Sequence, residues 1–178
     1  MRPFVFLDRD GTLVRDTGYP HRIEDYALLP GVADALRPLK AAGYALAIIT
    51  NQSGIGRGRF QTSDLERFQA RLLADLAAAD IEITATLVCP HSPEAGCTCR
   101  KPAPGLLLRA RDELGAALAS SWMIGDRERD VLAARHAGCR GGIRVGLVAP
   151  APAGDDPYAL EARDLAGAVR LLLAYGAP

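Results

Sequence analysis

Phe4-Val5-Phe6-Leu7-Asp8-Arg9-Asp10-Gly11-Thr12 is the stretch on which the reading of this chain turns. Four consecutive apolar residues ending in two carboxylates one residue apart read as a buried strand that delivers acids to its C-terminal tip. Gly11 then lets the chain turn sharply. Two aspartates so close repel each other unless a cation neutralises them, which points to a metal-assisted reaction. Taken alone, such a pair suits a solvated turn better than a metal site; the rest of the chain reverses that preference.

Outward from that strand, apolar runs alternate with helical periodicity. Val32–Ala42 has helical spacing, with Pro38 inside it, and Tyr44–Ile49 is a second buried strand. Thr62 or Ser63 can cap a helix to about Ala79 that carries Leu65, Phe68, Leu72, Leu73 and Leu76 on one face, with Glu66 supporting its first turn. Ile83–Val88 reads as a strand, Pro104 opens a helix to Leu114, and Trp122–Ile124 is a short strand. A helix over Glu128–Ala137 ends at Gly138, followed by a strand over Gly142–Val148, a Pro/Gly/Ala/Asp loop from Pro150 to Asp156, and a last helix, Leu165–Tyr175. Repeated strand–helix units with continuous apolar strands imply an α/β fold: a Rossmann-like three-layer sandwich around a central parallel sheet.

The 178 residues suit a single domain over 1–178. Lys plus Arg and Asp plus Glu balance at 21 each, so no basic excess argues for nucleic acid or a membrane surface as partner. The apolar start is four residues long and runs straight into charge, unlike a signal peptide. No apolar stretch approaches the roughly 20 residues that span a bilayer. The expected compartment is the cytoplasm. Cys89, Cys97 and Cys99 cluster while Cys139 stands apart, and in that compartment a cluster favours metal binding over disulfides.

In parallel sheets ligands bind outside the C-terminal strand ends, and each such end here carries polar groups. The first offers Asp8 and Asp10, the second Thr50-Asn51-Gln52-Ser53, the third leads to Arg100-Lys101-Pro102, and the fourth to Gly125-Asp126-Arg127-Glu128-Arg129-Asp130. Acids, a hydroxyl, amides and cations together suit a magnesium ion and a phosphoryl group. Each motif alone has a plainer explanation as cap, turn or solvated cation. Their joint order does not.

The ordered set Asp-Arg-Asp-Gly-Thr, Thr-Asn, Arg-Lys-Pro and Gly-Asp-x-x-x-Asp resembles the haloacid dehalogenase-like phosphatases over about residues 3 to 150. Within them, the chain is most similar to the branch of histidinol-phosphate and heptose-bisphosphate phosphatases. Cys89-Pro90-His91 with Cys97-Thr98-Cys99 supplies a Cys3His set suited to a closed, tetrahedral, structural zinc site. Asp16-Thr17-Gly18-Tyr19 and Thr50-Asn51-Gln52-Ser53-Gly54-Ile55-Gly56-Arg57-Gly58 look like the heptose side of the branch. Position 59 is Arg where a dinucleotide fingerprint needs its third glycine.

The resemblance implies a capless fold with a zinc-binding loop, since the spacings from Thr12 to Val32 and from Ser53 to Thr62 leave no room for an inserted domain. It implies Asp8 as nucleophile, Asp10 as general acid and base, and Mg2+ held by Asp8, the Asp10 carbonyl and Asp126. Thr50 and Lys101 would bind the transferring phosphoryl group. Asp16, Tyr19, Asn51, Gln52, Ser53, Arg100 and Arg127 would meet the substrate, expected to be a small phosphorylated sugar, most closely a heptose 1,7-bisphosphate with histidinol phosphate as the alternative. Asp130 is expected to orient Lys101 or the metal's waters, Glu128 to be solvated, and the enzyme to be monomeric. Cys139 is expected to be a small buried residue, and neither His21 nor His136 is given a catalytic role.

Overall fold

The structure, a computed structural model, describes residues 1–176. β1 (Phe4–Leu7) is buried throughout and lies between β2 (Ala45–Asn51) and β4 (Trp122–Gly125), parallel to both. β3 (Ala85–Cys89) extends the sheet beyond β2, and β5 (Gly141–Arg144) and β6 (Leu160–Glu161) extend it beyond β4. The result is one six-stranded parallel sheet in the order β3-β2-β1-β4-β5-β6.

Side chains alternate across a strand, so the run Phe4–Leu7 divides between two cores. Phe4 and Phe6 join Met123 and Ile49 beneath α4 (Gly105–Leu114) and α5 (Glu128–Ala137), through Leu106, Leu107, Ala110, Ala133 and Ala134. Val5 and Leu7 join Leu36 and Leu39 of α1 (Val32–Ala41), Phe68 and Leu72 of α3 (Thr62–Ala78), and Val169 and Leu172 of α6 (Leu165–Ala174). A strand covered on both faces has no polar side, which is why its sequence shows no alternation. The expected three-layer arrangement around a parallel sheet is the one observed.

Several boundaries differ from the sequence reading. β2 runs on through Thr50 and Asn51, which pair with Val88 and Cys89 of β3, so this polar pair belongs to the strand. The strand expected over Gly142–Val148 stops at Arg144; Gly146 has φ of 85°, outside the extended region. α3 is capped from Gln61, not from Thr62 or Ser63: Gln61 is extended and its N–H donates to the Asp64 carboxylate at 2.8 Å, so Asp64, not Glu66, supports the first turn. Pro38 sits within α1 without ending it. The single turn α2 (Ser53–Gly56) and the two-residue β6 had no periodic signal, being shorter than the repeat that would reveal them. No helix among the described residues is long and apolar enough to cross a membrane.

The strand order fixes where a ligand can sit. The chain leaves β1 toward β2 and β3, then returns through α4 to β4 on the other side of β1. The reversal opens a crevice beyond the C-terminal ends of β1 and β4, where Asp8 and Asp126 follow their strands.

Candidate active site

Lys101 is the buried hub of the crevice. Its Nζ donates to Asp8 Oδ1 at 2.7 Å and to the Ile49 carbonyl at 2.7 Å, and lies 2.6 Å from Asp130 Oδ1. Burial disfavours its charge, but Asp8 and Asp130 outweigh that and hold its pKa above the ordinary lysine value. Burial is also the largest influence on Asp8, pushing it up to about 7; Lys101 opposes the rise, while Asp130 and Asp10 add to it. Asp130 Oδ2 accepts the Arg127 N–H at 3.0 Å, so this one carboxylate both caps the start of α5 and orients Lys101.

The Lys101 backbone is clamped as well. Asn51 Nδ2 donates to its carbonyl and its N–H donates to Asn51 Oδ1, both at 3.1 Å. Gln52, also buried, donates Nε2 to Thr50 Oγ1 and to Asp10 Oδ2, each at 2.8 Å. The polar tetrad after the second apolar run therefore ties β2 to the lysine loop on one side and to Asp10 on the other.

A divalent cation fits beside this hub. Carboxylate oxygens of Asp8, Asp126 and Asp130 lie within 4.8 Å of one another. Asp126 Oδ1 is buried without a hydrogen-bond partner, and burial raises the Asp126 pKa. Gly11, at φ of 82°, passes so close that a Cβ there would stand 2.6 Å from Asp126 Oδ2. Three acids against Lys101 and Arg127 still leave one negative charge, and the partnerless Asp126 Oδ1 offers it to a hard cation.

A second donor set lies at the end of β3. Cys89 Sγ is 3.6 Å from Cys97 Sγ and 3.7 Å from His91 Nδ1; Cys99 Sγ is 3.5 Å from Cys97 Sγ and 3.3 Å from His91 Nδ1. Tetrahedral zinc–thiolate bonds would place sulfurs about 3.8 Å apart. The cluster fits a soft metal ion. It is fastened to the site by backbone contacts: Gln52 N–H to the Cys89 carbonyl at 2.7 Å and Gly56 N–H to the Pro90 carbonyl at 2.9 Å. A Cβ on Gly56 would meet the Pro90 and Ser92 backbone at 2.8 Å, so close packing explains this glycine of the Gly54–Gly58 string.

Asp8, Asp10, Asp16, Gly18, Tyr19, Asn51, Gln52, Ser53, Arg100 and Arg129 line an open cleft of about 210 Å³. Thr50 and Lys101 are buried behind its lining, Thr50 bonded to Gln52 and Lys101 to Asp8. Arg127 does not line it; it pairs with Asp126 at 2.8 Å and stands 3.5 Å from Asp16. His21 stacks on Phe60, and His136 contacts the Pro102 carbonyl. Cys139 is buried, as expected.

A family model described as HAD-hydrolase-like matches residues 98–146. D-glycero-beta-D-manno-heptose-1,7-bisphosphate 7-phosphatase of Escherichia coli K12 is 44% identical over 139 residues, covering 74% of this chain and 73% of that protein. This chain belongs to the haloacid dehalogenase-like phosphatases. Its branch is that of the heptose-1,7-bisphosphate 7-phosphatases. The Pasteurella multocida protein of the same name is 39% identical, with 82% of each chain covered. The crystal structure of D,D-heptose 1,7-bisphosphate phosphatase from B. bronchiseptica, complexed with magnesium and phosphate, superposes with a TM-score of 0.85 at 30% identity, covering 98% of this chain and 99% of that one. The chain is accordingly a phosphoric monoester hydrolase.

One cleft residue, Arg129, and one buried residue behind the cleft, Arg9, have no role in the sequence analysis. Arg129 lines the cleft where Arg127 was expected to; it stands in the first turn of α5, directly after the Gly125-Asp126 strand end, which was the available signal. Arg9 turns inward from between the two acids and pairs with Asp10 at 2.7 Å. An arginine in an acidic loop reads as solvated.

Proposed function

We propose that this phosphatase removes the 7-phosphate of a D-glycero-D-manno-heptose 1,7-bisphosphate through an aspartyl-phosphate on Asp8. The observation that carries this reading is the 2.7 Å contact between Lys101 Nζ and Asp8 Oδ1 at the head of a cleft that also holds Asp10. Asp8, Asp126 and the Asp10 carbonyl would hold Mg2+, which supplies charge neutralisation between the carboxylate and the incoming phosphoryl group.

An Asp8 oxygen attacks phosphorus in line as the bond to the sugar oxygen breaks, and Asp10 gives that oxygen a proton. The alcohol departs. Asp10, now ionised, takes a proton from water as that water attacks the phosphorus of aspartyl-phosphate, releasing phosphate and restoring Asp8. Lys101 and Thr50 bind the equatorial phosphoryl oxygens, where charge gathers in the transition state. Arg100 and Arg129 on the cleft wall, with Asp16, Tyr19 and Ser53, face the rest of the substrate. Asn51 and Gln52 act through Lys101 and Asp10, and Arg127 acts through Asp126.

Cys89, His91, Cys97 and Cys99 would hold a structural Zn2+, which would order the loop leading to Arg100 and Lys101. The fold is a single domain without an inserted cap. The test is Mg2+-dependent phosphate release from the heptose 1,7-bisphosphate beside histidinol phosphate. A kcat/KM ratio above about a hundredfold, roughly 2.7 kcal/mol of transition-state discrimination, is expected for the heptose. A reversed ratio overturns the substrate and leaves the phosphoryl chemistry standing.

A further inference from the structure

Arg9 is among the largest side chains the fold buries, with none of its surface exposed. A charge so placed needs partners, and its partners point at one group. Nε donates to Asp10 Oδ1 at 2.7 Å and Nη2 donates to Asp10 Oδ2 at 3.0 Å, a two-pronged grip that fixes the carboxylate's plane. Nη2 also donates to the Pro20 carbonyl at 2.9 Å, and the guanidinium lies over the Phe68 ring of α3, 4.6 Å from its centroid. The Arg9 carbonyl accepts the N–H groups of Leu13 and Val14 at 2.9 and 3.0 Å, holding the turn that follows.

From the far side, Gln52 Nε2 donates to Asp10 Oδ2 at 2.8 Å. Each carboxylate oxygen offers two lone pairs. Oδ2 has both engaged, by Arg9 and Gln52, whereas Oδ1 has one engaged, by Arg9. Asp10 remains partly open to the cleft, with 18% of its side chain exposed.

We propose that Arg9 is the positioning residue for proton transfer: it aims the Asp10 carboxyl so that Oδ1 exchanges the proton with the leaving oxygen, while Gln52 occupies Oδ2. The inference rests on the proton-donor role given to Asp10 above. In the step concerned, the bond from Asp8 to phosphorus forms, the bond from phosphorus to the sugar oxygen breaks, and the Asp10 proton moves to that oxygen. Arg9 neither gains nor loses a proton. Its contribution is orientation, set by the packing of Phe68 in the core.

The experiment compares kcat/KM, which stops at departure of the alcohol, for a sugar phosphate and for p-nitrophenyl phosphate, whose leaving group departs without a proton. Arg9→Met is expected to lose about a hundredfold on the sugar ester and less than about threefold on the aryl ester, as loss of proton donation dictates. Asp10→Asn, run alongside, is expected to show the same imbalance more strongly. Arg9→Lys keeps the charge without the fork and should fall between wild type and Arg9→Met. Equal losses on both esters in the Arg9 variants, with the imbalance retained in Asp10→Asn, would overturn the positioning role. Equal losses in Asp10→Asn itself would remove the proton-donor premise, and the inference with it. If Arg9→Met does not fold, Arg9→Lys decides: a wild-type ratio of the two esters contradicts the proposal.

Discussion

At the scale of single residues, chemistry was more legible than environment. Acids, amides and cations at strand ends announce phosphoryl chemistry because only certain residue types can perform it. What each side chain touches could not be read: the partners of Arg9 are Asp10, Pro20 and Phe68, brought together only by the fold. Lys101 illustrates the consequence. Arg9→Met leaves behind an Asp10 that still reaches solvent, but Lys101→Met would leave Asp8 and Asp130 buried with no cation between them. In Mg2+-free buffer this should cost about 3 to 5 kcal/mol, as loss of one member of a buried ion pair does, measured by urea unfolding, and activity should vanish. Cys139 gives a pH test. Burial pushes its thiol from 9.0 up to about 12, so at pH 8 its thiolate fraction falls from about one in ten to about one in ten thousand. Peptide mapping after iodoacetamide should find Cys139 unmodified in the native protein and modified in urea. A second, upward pH step should raise native labelling, because the neutral thiol is the form that burial favours.

At the scale of elements, long periodic segments declared themselves and short ones did not. The apolar stripe of α3 spans 17 residues, whereas α2 has four and β6 two. Strand ends were misplaced where polar residues belong to a strand for the site's sake: Thr50 and Asn51 stay in β2 because their backbones pair with β3 while their side chains serve the cleft. Glycines at turns separate two kinds of constraint. Gly138 ends α5 at φ of 73° with open space around it, while Gly11, at 82°, faces Asp126. Gly138→Ala should lose about 1 kcal/mol by thermal or chemical unfolding, with activity unchanged, because only backbone strain is added. Gly11→Ala adds both strain and a collision with Asp126. Beyond a comparable loss of stability, it should raise the Mg2+ concentration needed for half-maximal activity. An unchanged Mg2+ requirement would show that the close approach does not shape the ion's site.

At the scale of the whole molecule, the parallel α/β architecture followed from alternation of apolar strands and amphipathic helices, but the strand order did not, because pairing partners are distant in sequence. That order is what sets the crevice between β1 and β4. It also brings the Cys/His loop against the site: Asn51 pairs with Cys89, Gln52 with the Cys89 carbonyl, and Asn51 with the Lys101 backbone. Metal bound at the cluster would therefore reach Lys101 through two residues. Elemental analysis should find about one zinc per chain, as a closed four-ligand site requires. Stripping it with a chelator should lower both Tm and kcat, with recovery on adding Zn2+ and none on adding Mg2+ alone.

The central claim is that hydrolysis proceeds in two displacements at phosphorus, the first by Asp8. The stereochemical course of the reaction tests it most directly, using a phosphorothioate substrate made chiral with oxygen isotopes and cleaved in labelled water. Two in-line displacements invert twice and give retention of configuration, which is the result expected here. Net inversion would mean that water attacks the substrate directly, and Asp8 would then be no nucleophile.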